Sequence, residues 1–181
     1  MCCFLSALVL RNGDVLTHPM LDSHSDLVKY FKLPDTTAYH QHFAKVELVP
    51  DDWMNVATWR FSLDDSTAPS WWDDVAGPAE AALRARAERM ILRGGNHELI
   101  VDGCWIVGGT AKIRDVRSGR IVHVQDSAQI TNVGGSARIT NVGGSAQITD
   151  VWDLAQITNV GVSVLLDASA KRHKKITNGQ R

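Results

Sequence analysis

Residues 127–160 repeat a nine-residue unit, and no other feature of the chain restricts its possible folds as much. The stretch reads SAQITNVGG (127–135), SARITNVGG (136–144), SAQITDVWD (145–153) and LAQITNV (154–160). Self-similarity at a short fixed period marks a stacked repeat architecture. Each unit carries its apolar residues in the same places: Ala128/Ile130/Val133, Ala137/Ile139/Val142, Ala146/Ile148/Val151 and Ala155/Ile157/Val160. Ala and Ile are two apart, so they project from one side of a strand. Gln129, Arg138, Gln147 and Gln156 then project from the other side, as do Thr131, Thr140, Thr149 and Thr158. Asn132, Asn141, Asp150 and Asn159 are of a class that favours bends. The Gly pairs at 134–135 and 143–144 supply backbone freedom for a corner.

One unit cannot bury its own apolar side, but stacked units can, with Ala over Ala and Ile over Ile. Nine residues are too few for a coil with two strands and two corners. The pattern therefore predicts a narrow parallel β-solenoid of about eighteen residues per coil, one nonapeptide on each side. A three-sided coil has the same total but would put the Gly pairs in different places on alternate rungs. Calcium-binding rolls share the period and need an Asp in each unit as GGxGxD. Here the corner is mostly Asn, so a calcium array is rejected. The repeat extends upstream in weaker form through TAKIRDVRS (110–118) and GRIVHVQD (119–126), the latter one residue short. GVSVLLD (161–167) reads as a cap, so the solenoid is expected over about Leu99–Asp167.

The rest of the chain reads as an α+β region. Residues 3–10 form a strand, with Asn12-Gly13 a hairpin turn signal. Ser23 with Asp26 resembles a capping box opening a helix over 24–32, which Pro34 ends. Strands follow at 44–48 and 59–63 by alternation. Pro78 suits the first turn of a helix over 79–92, stopped by Gly94-Gly95, with Arg84, Arg86, Glu88 and Arg93 exposed. The expected organisation is a small α+β domain (1–75), a linking and capping helix (76–95), the repeat domain (96–168) and a basic tail (169–181).

Composition excludes several functions. The formal net charge of −1 gives no bulk attraction to nucleic acid or anionic membrane, and the KRHKK run at 171–175 reads as a solvated end. No apolar run is long enough to span a membrane as a helix. The start MCCFLSALVL lacks a basic n-region and reads as a strand, not a signal peptide. Three cysteines do not make a disulfide framework, so a cytoplasmic setting is expected.

Candidate chemistry is sparse. Cys2, if Met1 is removed, offers a thiol and an α-amine as nucleophile and base. His24, flanked by Asp22 and Asp26, is the best-placed general base. Hence Cys2, His24 and Asp26 form a candidate catalytic set. His40 and His42 share one side of a strand, but no third ligand is evident, so no metal site and no cofactor are expected. The acidic pairs Asp51-Asp52, Asp64-Asp65 and Asp73-Asp74 read as turns. Trp71 and Trp72 form a candidate docking or seam surface. The outward residues Gln129, Thr131, Arg138, Thr140, Gln147 and Thr149 form candidate binding columns. Four threonines divided between two faces are too few for an ice-binding surface, and residues 99–167 lack the acidity of a DNA mimic.

Two resemblances follow from these residues. Met1-Cys2 ahead of an apolar strand resembles the start of N-terminal-cysteine amidotransferase-type hydrolases, although the Gly that commonly follows there is Cys3 here. The S-A-[QR]-I-T-[ND]-V register at 127–160 resembles the short β-solenoid tails of small bacteriophage-type proteins. That resemblance implies a rigid spacer, an oligomerisation surface or a binding surface, in a host cytoplasm or a virion. The reading is a non-enzymatic scaffold that binds a protein partner or itself. The alternative is a small hydrolase or transferase using Cys2 with His24.

Overall fold

The computed structural model of the chain describes residues 5–34, 42–161, 165–166 and 175–176. It divides into two compact units, Met1–Arg89 and Met90–Arg181. Cys2, Cys3, His40 and residues 171–174 lie outside the described residues.

The first unit is built on a four-stranded antiparallel sheet. Its strands are β1 (Leu5–Leu10), β2 (Val15–Leu16), β3 (Phe43–Val49) and β4 (Arg60–Leu63), in the order β2-β1-β3-β4. The Asn12-Gly13 signal does mark the hairpin. The loop, however, is a three-residue one: Leu10 and Asp14 bond to each other, and Gly13 takes the left-handed backbone at φ +89° that closes such a loop. Helix α1 (His24–Tyr30) opens as the sequence indicates, with the Ser23 hydroxyl accepting from the Asp26 amide. It closes in a Schellman motif that Pro34 merely follows. Lys32 is left-handed at φ 54°, and the Leu33 amide reaches back to the Val28 carbonyl. Leu27 and Val28 bury against Leu8 and Phe43.

Helix α2 (Trp72–Arg89) begins two turns earlier than Pro78 indicates and stops before Ile91. Asp73 and Asp74 occupy its first turn, where the positive end of the helix dipole favours carboxylates. Pro78 sits inside, and a proline there removes one intrahelical bond. Val75, Ala79, Leu83 and Ala87, four residues apart, form its buried stripe. Arg84 is not free on the surface as its place in the pattern implies. Its guanidinium donates to the Val56 and Trp59 carbonyls and pairs with Glu80, which ties α2 to the 3-10 turn Val56–Thr58.

The second unit is the expected parallel β-solenoid, and it starts earlier than its letters show. Its strands are β5 (Ile91–Leu92), β6 (Asn96–Ile100), β7 (Cys104–Val107), β8 (Lys112–Val116), β9 (Arg120–Val124), β10 (Gln129–Val133), β11 (Arg138–Val142), β12 (Gln147–Val151), β13 (Gln156–Val160), β14 (Leu165–Leu166) and β15 (Lys175–Ile176). Even-numbered strands from β6 to β14 form one sheet and odd-numbered strands from β5 to β15 the other. Successive nonapeptides therefore lie on opposite sides. Gln129 pairs with Gln147 and Arg138 with Gln156, a step of eighteen residues.

Upstream, Lys112 pairs with Gln129, one residue fewer. The missing residue falls in the corner Arg117-Ser118-Gly119, which lacks the buried Ala found at 111, 128, 137, 146 and 155. The first coil, in which Ile91 pairs with Ile106, lacks the Gln-Ile-Thr-Asn strand of the repeat and keeps only its corner, as Val107-Gly108-Gly109-Thr110-Ala111. A backbone ladder needs only strand conformation and an apolar inward row, so the motif can fade before the fold does.

Ile130 and Val133 both point inward with Thr131 and Asn132 between them, so each strand bends midway. The Asn column has a second use at that bend. Asn132 donates to Asp115 at 2.9 Å, Asn159 donates to Asn141 at 2.9 Å, and Asn141 donates to the Val122 carbonyl at 3.1 Å. Each bond joins one coil to the next, which stabilises the stack as well as turning the chain.

Candidate functional site

The strongest grouping of chemistry lies in the first unit, where α1, β3 and the end of β4 converge. His24 is the first residue of α1 and 5% exposed. Its Nδ1 lies 3.1 Å from Oδ2 of Asp64, and its Nε2 lies 3.0 Å from the Val46 carbonyl oxygen. Glu47 is the third member: ligand atoms of His24, Glu47 and Asp64 all lie within 4.8 Å of one another. Among the described residues this is the one group of three His, Cys, Asp or Glu that converges in this way.

Each member is held by bonds outside the group. Glu47 faces Ser6 on β1 and Ser62 on β4 across the sheet. The Ser6 hydroxyl donates to the Asp22 carbonyl at 2.8 Å, which fixes the approach to α1 beside that row. The Asp64 amide donates to the Lys45 carbonyl at 2.8 Å, and the Lys45 amide donates to Asp65 at 2.9 Å. The site is thus assembled by a helix start, a central strand and a turn, each pinned separately.

Sequence reading selected His24 and missed both carboxylates. Asp26 lies on the exposed side of α1, with its amide accepted by Ser23; the carboxylate beside the imidazole is Asp64. Asp64 was legible only as half of an acidic turn and Glu47 only as an outward strand residue, because their meeting depends on strand pairing across β3 and β4. Cys2 lies outside the described residues. Trp71 is 8% exposed, and Trp72 opens α2 stacked on Phe61 with ring centroids 6.1 Å apart. His42 is exposed, and the turn around Asp51 and Asp52 holds the Trp59 indole through the Asp52 carbonyl.

The second unit presents its outward columns on two faces. Gln129, Thr131, Gln147 and Thr149 share the even-strand face with Lys112 and Arg114. Arg138 and Thr140 share the odd-strand face with Arg120, Gln156 and Thr158. On the even face Arg114 pairs with Glu98 at 2.6 Å and with Asp115 at 3.1 Å. That Arg114 contact, followed by the Asn132 bond, holds the Asp115 carboxyl below its usual range. The Arg117 guanidinium lies 5.7 Å from the centre of the Trp152 ring. Gly134 stands between their coils, and a Cβ there would come within 2.4 Å of that ring.

His123 stands in register with Asn141 and so heads the Asn column of the odd face. Burial pushes its imidazole below the ordinary value of 6.5, against a Gln125 hydrogen bond and the Asp126 charge. Below that value the unfolded chain takes up a proton that the folded chain resists. The contribution to stability is therefore full above pH 6.5 and is lost as pH falls from there through the lowered folded value. His123→Asn is expected to extend the Asn ladder and to flatten that loss. Urea midpoints measured at about pH 7 and about pH 5 should differ less in the variant than in the parent.

No helix among the described residues is long and apolar enough to cross a membrane. No family model matches the chain, and no curated protein or solved structure matches it.

Proposed function

We propose that the protein is a scaffold whose β-solenoid presents a rigid polar face to a protein partner. The reading rests on the register of the outward side chains. Gln129 stands over Gln147 on adjacent strands, in a ladder where every step is backbone-bonded. Adjacent strands lie about 4.8 Å apart, so such columns offer hydrogen-bonding groups at fixed intervals with little entropy to lose on binding. The even face is the docking face in this reading, because Gln129, Thr131, Gln147 and Thr149 give it paired donors and acceptors. A phage-type setting and self-association are finer points supported by the repeat resemblance alone.

The test compares two double variants. Thr131→Arg with Thr149→Arg roughens the even face, and Thr140→Arg with Thr158→Arg roughens the odd one. Circular dichroism first establishes that both remain folded. Sedimentation of the parent, and capture of partners from the native host, are then compared with the variants. The even-face pair is expected to weaken association at least tenfold and the odd-face pair to leave it within about twofold, since 1.4 kcal/mol corresponds to a factor of ten. A parent that stays monomeric and captures nothing, or loss on the odd face alone, would overturn the assignment.

A further inference from the structure

The cluster in the first unit carries an inference independent of the solenoid. We propose that His24, Glu47 and Asp64 bind one divalent transition-metal ion of the zinc class, with His24 Nδ1 as the nitrogen ligand.

The orientation of the imidazole is the first observation. The Val46 carbonyl can only accept, so Nε2, 3.0 Å away, carries the hydrogen. In neutral histidine that leaves a lone pair on Nδ1. This lone pair is aimed at a carboxylate oxygen of Asp64 only 3.1 Å away, with Glu47 completing the group. A bare lone pair does not rest 3.1 Å from a carboxylate oxygen, so the Nδ1 side is taken either by a proton or by a metal ion, and the converging Glu47 favours the metal. A metal-ligating histidine typically donates its other ring N–H to a carbonyl or carboxylate, which fixes the tautomer and the ring plane. Val46 holds that place.

The distances are the second observation. Zinc bonds histidine nitrogen at about 2.0–2.1 Å and carboxylate oxygen at about 2.0–2.2 Å. An ion at those lengths from both Nδ1 and Asp64 Oδ2, themselves 3.1 Å apart, would subtend about 97° between them. That angle falls between octahedral and tetrahedral values. The Glu47 oxygen lies within 4.8 Å of the other two ligand atoms and would have to close on them to complete the set.

The ligand set then selects the ion. Imidazole suits zinc, iron, nickel and copper, whereas carboxylate and carbonyl oxygens alone suit magnesium, calcium and manganese. One nitrogen with two carboxylates places the site in the first group. Its formal charge of −2 balances a divalent ion. The burial gradient matters as well: His24 is buried, Glu47 half-buried, and the Asp64 side chain 50% exposed. The ion would be anchored from inside and open on the Asp64 side, where water or a small anionic ligand completes its coordination. Three protein ligands with an open position are the arrangement of reactive rather than purely structural zinc.

The experiment uses the full chain freed of metal by a chelator. Zinc is titrated calorimetrically, and cobalt is added in parallel to read ligand-field absorption. The expected result is one ion per chain and a melting temperature that rises with zinc. Asp64→Asn and Glu47→Gln, which keep side-chain volume at positions not fully buried, should each weaken zinc at least tenfold while leaving the melting temperature of the metal-free chain within a few degrees. Should either variant fail to fold, X-ray absorption of the zinc-loaded parent decides: one imidazole among oxygen ligands is expected. No uptake by the parent would show that a proton alone bridges His24 and Asp64, and would overturn the proposal. So would uptake unaffected by both variants, or a zinc site with two imidazoles or a thiolate.

Discussion

Gly135→Val should lower the stability of the solenoid by about 3 kcal/mol, whereas Gly143→Ala should leave it unchanged or raise it slightly. Both residues belong to the Gly pairs of the repeat, and a reading by letters would treat them alike. Gly135 has φ +58°, the left-handed region, and a Cβ there would lie 2.2 Å from the Arg117 carbonyl oxygen one coil away. A β-branched residue in that conformation costs about 1–3 kcal/mol before any clash is counted, and relief of the clash must part the two coils. At Gly143 the backbone is not left-handed, and nothing lies within 4 Å of an added Cβ. Removing glycine at such a position restricts the unfolded chain and stabilises by about 0.4–1 kcal/mol. Gly135→Asp should fall between the two. Asp already holds this corner position with positive φ at Asp126 and Asp153, and Asp tolerates it better than most residues. Urea unfolding followed by circular dichroism at 218 nm or thereabouts measures all three. Equal losses for Gly135→Val and Gly143→Ala would refute the corner geometry.

Trp59→Ala should cost about 3–5 kcal/mol in the first unit, the range for truncating a buried aromatic side chain. Trp59 is 1% exposed and among the largest fully buried side chains. Its indole N–H donates to the Asp52 carbonyl at 2.7 Å, and Trp53 meets it edge-on with centroids 6.4 Å apart. Its own carbonyl accepts from Arg84 at 2.8 Å, so the residue joins the turn before β4 to helix α2. Trp59→Phe keeps much of the packing and removes the indole hydrogen bond. It should lose about 1–3 kcal/mol, less than the alanine variant. Chemical denaturation of the two variants measures the difference, and an alanine variant within about 1 kcal/mol of the parent would show that the site collapses around the cavity.

Legibility of the fold followed the kind of interaction involved. The nonapeptide fixes an inward row and an outward row by a period of two, and stacking those rows is the only way to bury Ala137, Ile139 and their equivalents. The two-sided solenoid with an eighteen-residue step therefore followed from the letters. So did the start of α1 at Ser23, because a cap acts within three residues of itself. The first strand did not follow: the repeat domain was expected from residue 96, and Ile91–Leu92 read as the end of the preceding helix, because β5 satisfies the ladder with backbone bonds that leave no mark on side-chain identity. Nor did the early start of α2: the preference for Asp73 and Asp74 at a helix N-terminus competes with the preference of Pro78 for a first helical turn, and α2 buries Val75 as well as Ala79 by starting at the earlier signal.

The candidate site divides in the same way. His24 stood out in sequence because a lone imidazole among polar residues is rare chemistry. Its partners are separated from it by more than twenty residues in Glu47 and forty in Asp64. Sequence patterns report neighbours along a strand or a helix turn. Glu47 and Asp64 become neighbours of His24 only when β3 pairs with β1 and β4 and the Ser6 hydroxyl holds the start of α1 against that sheet. The sequence by itself determined the repeat, its period and the faces it shows. Only the tertiary structure decided which two carboxylates face the buried histidine, because that choice is made by cross-strand register, a property of pairs of segments rather than of either one.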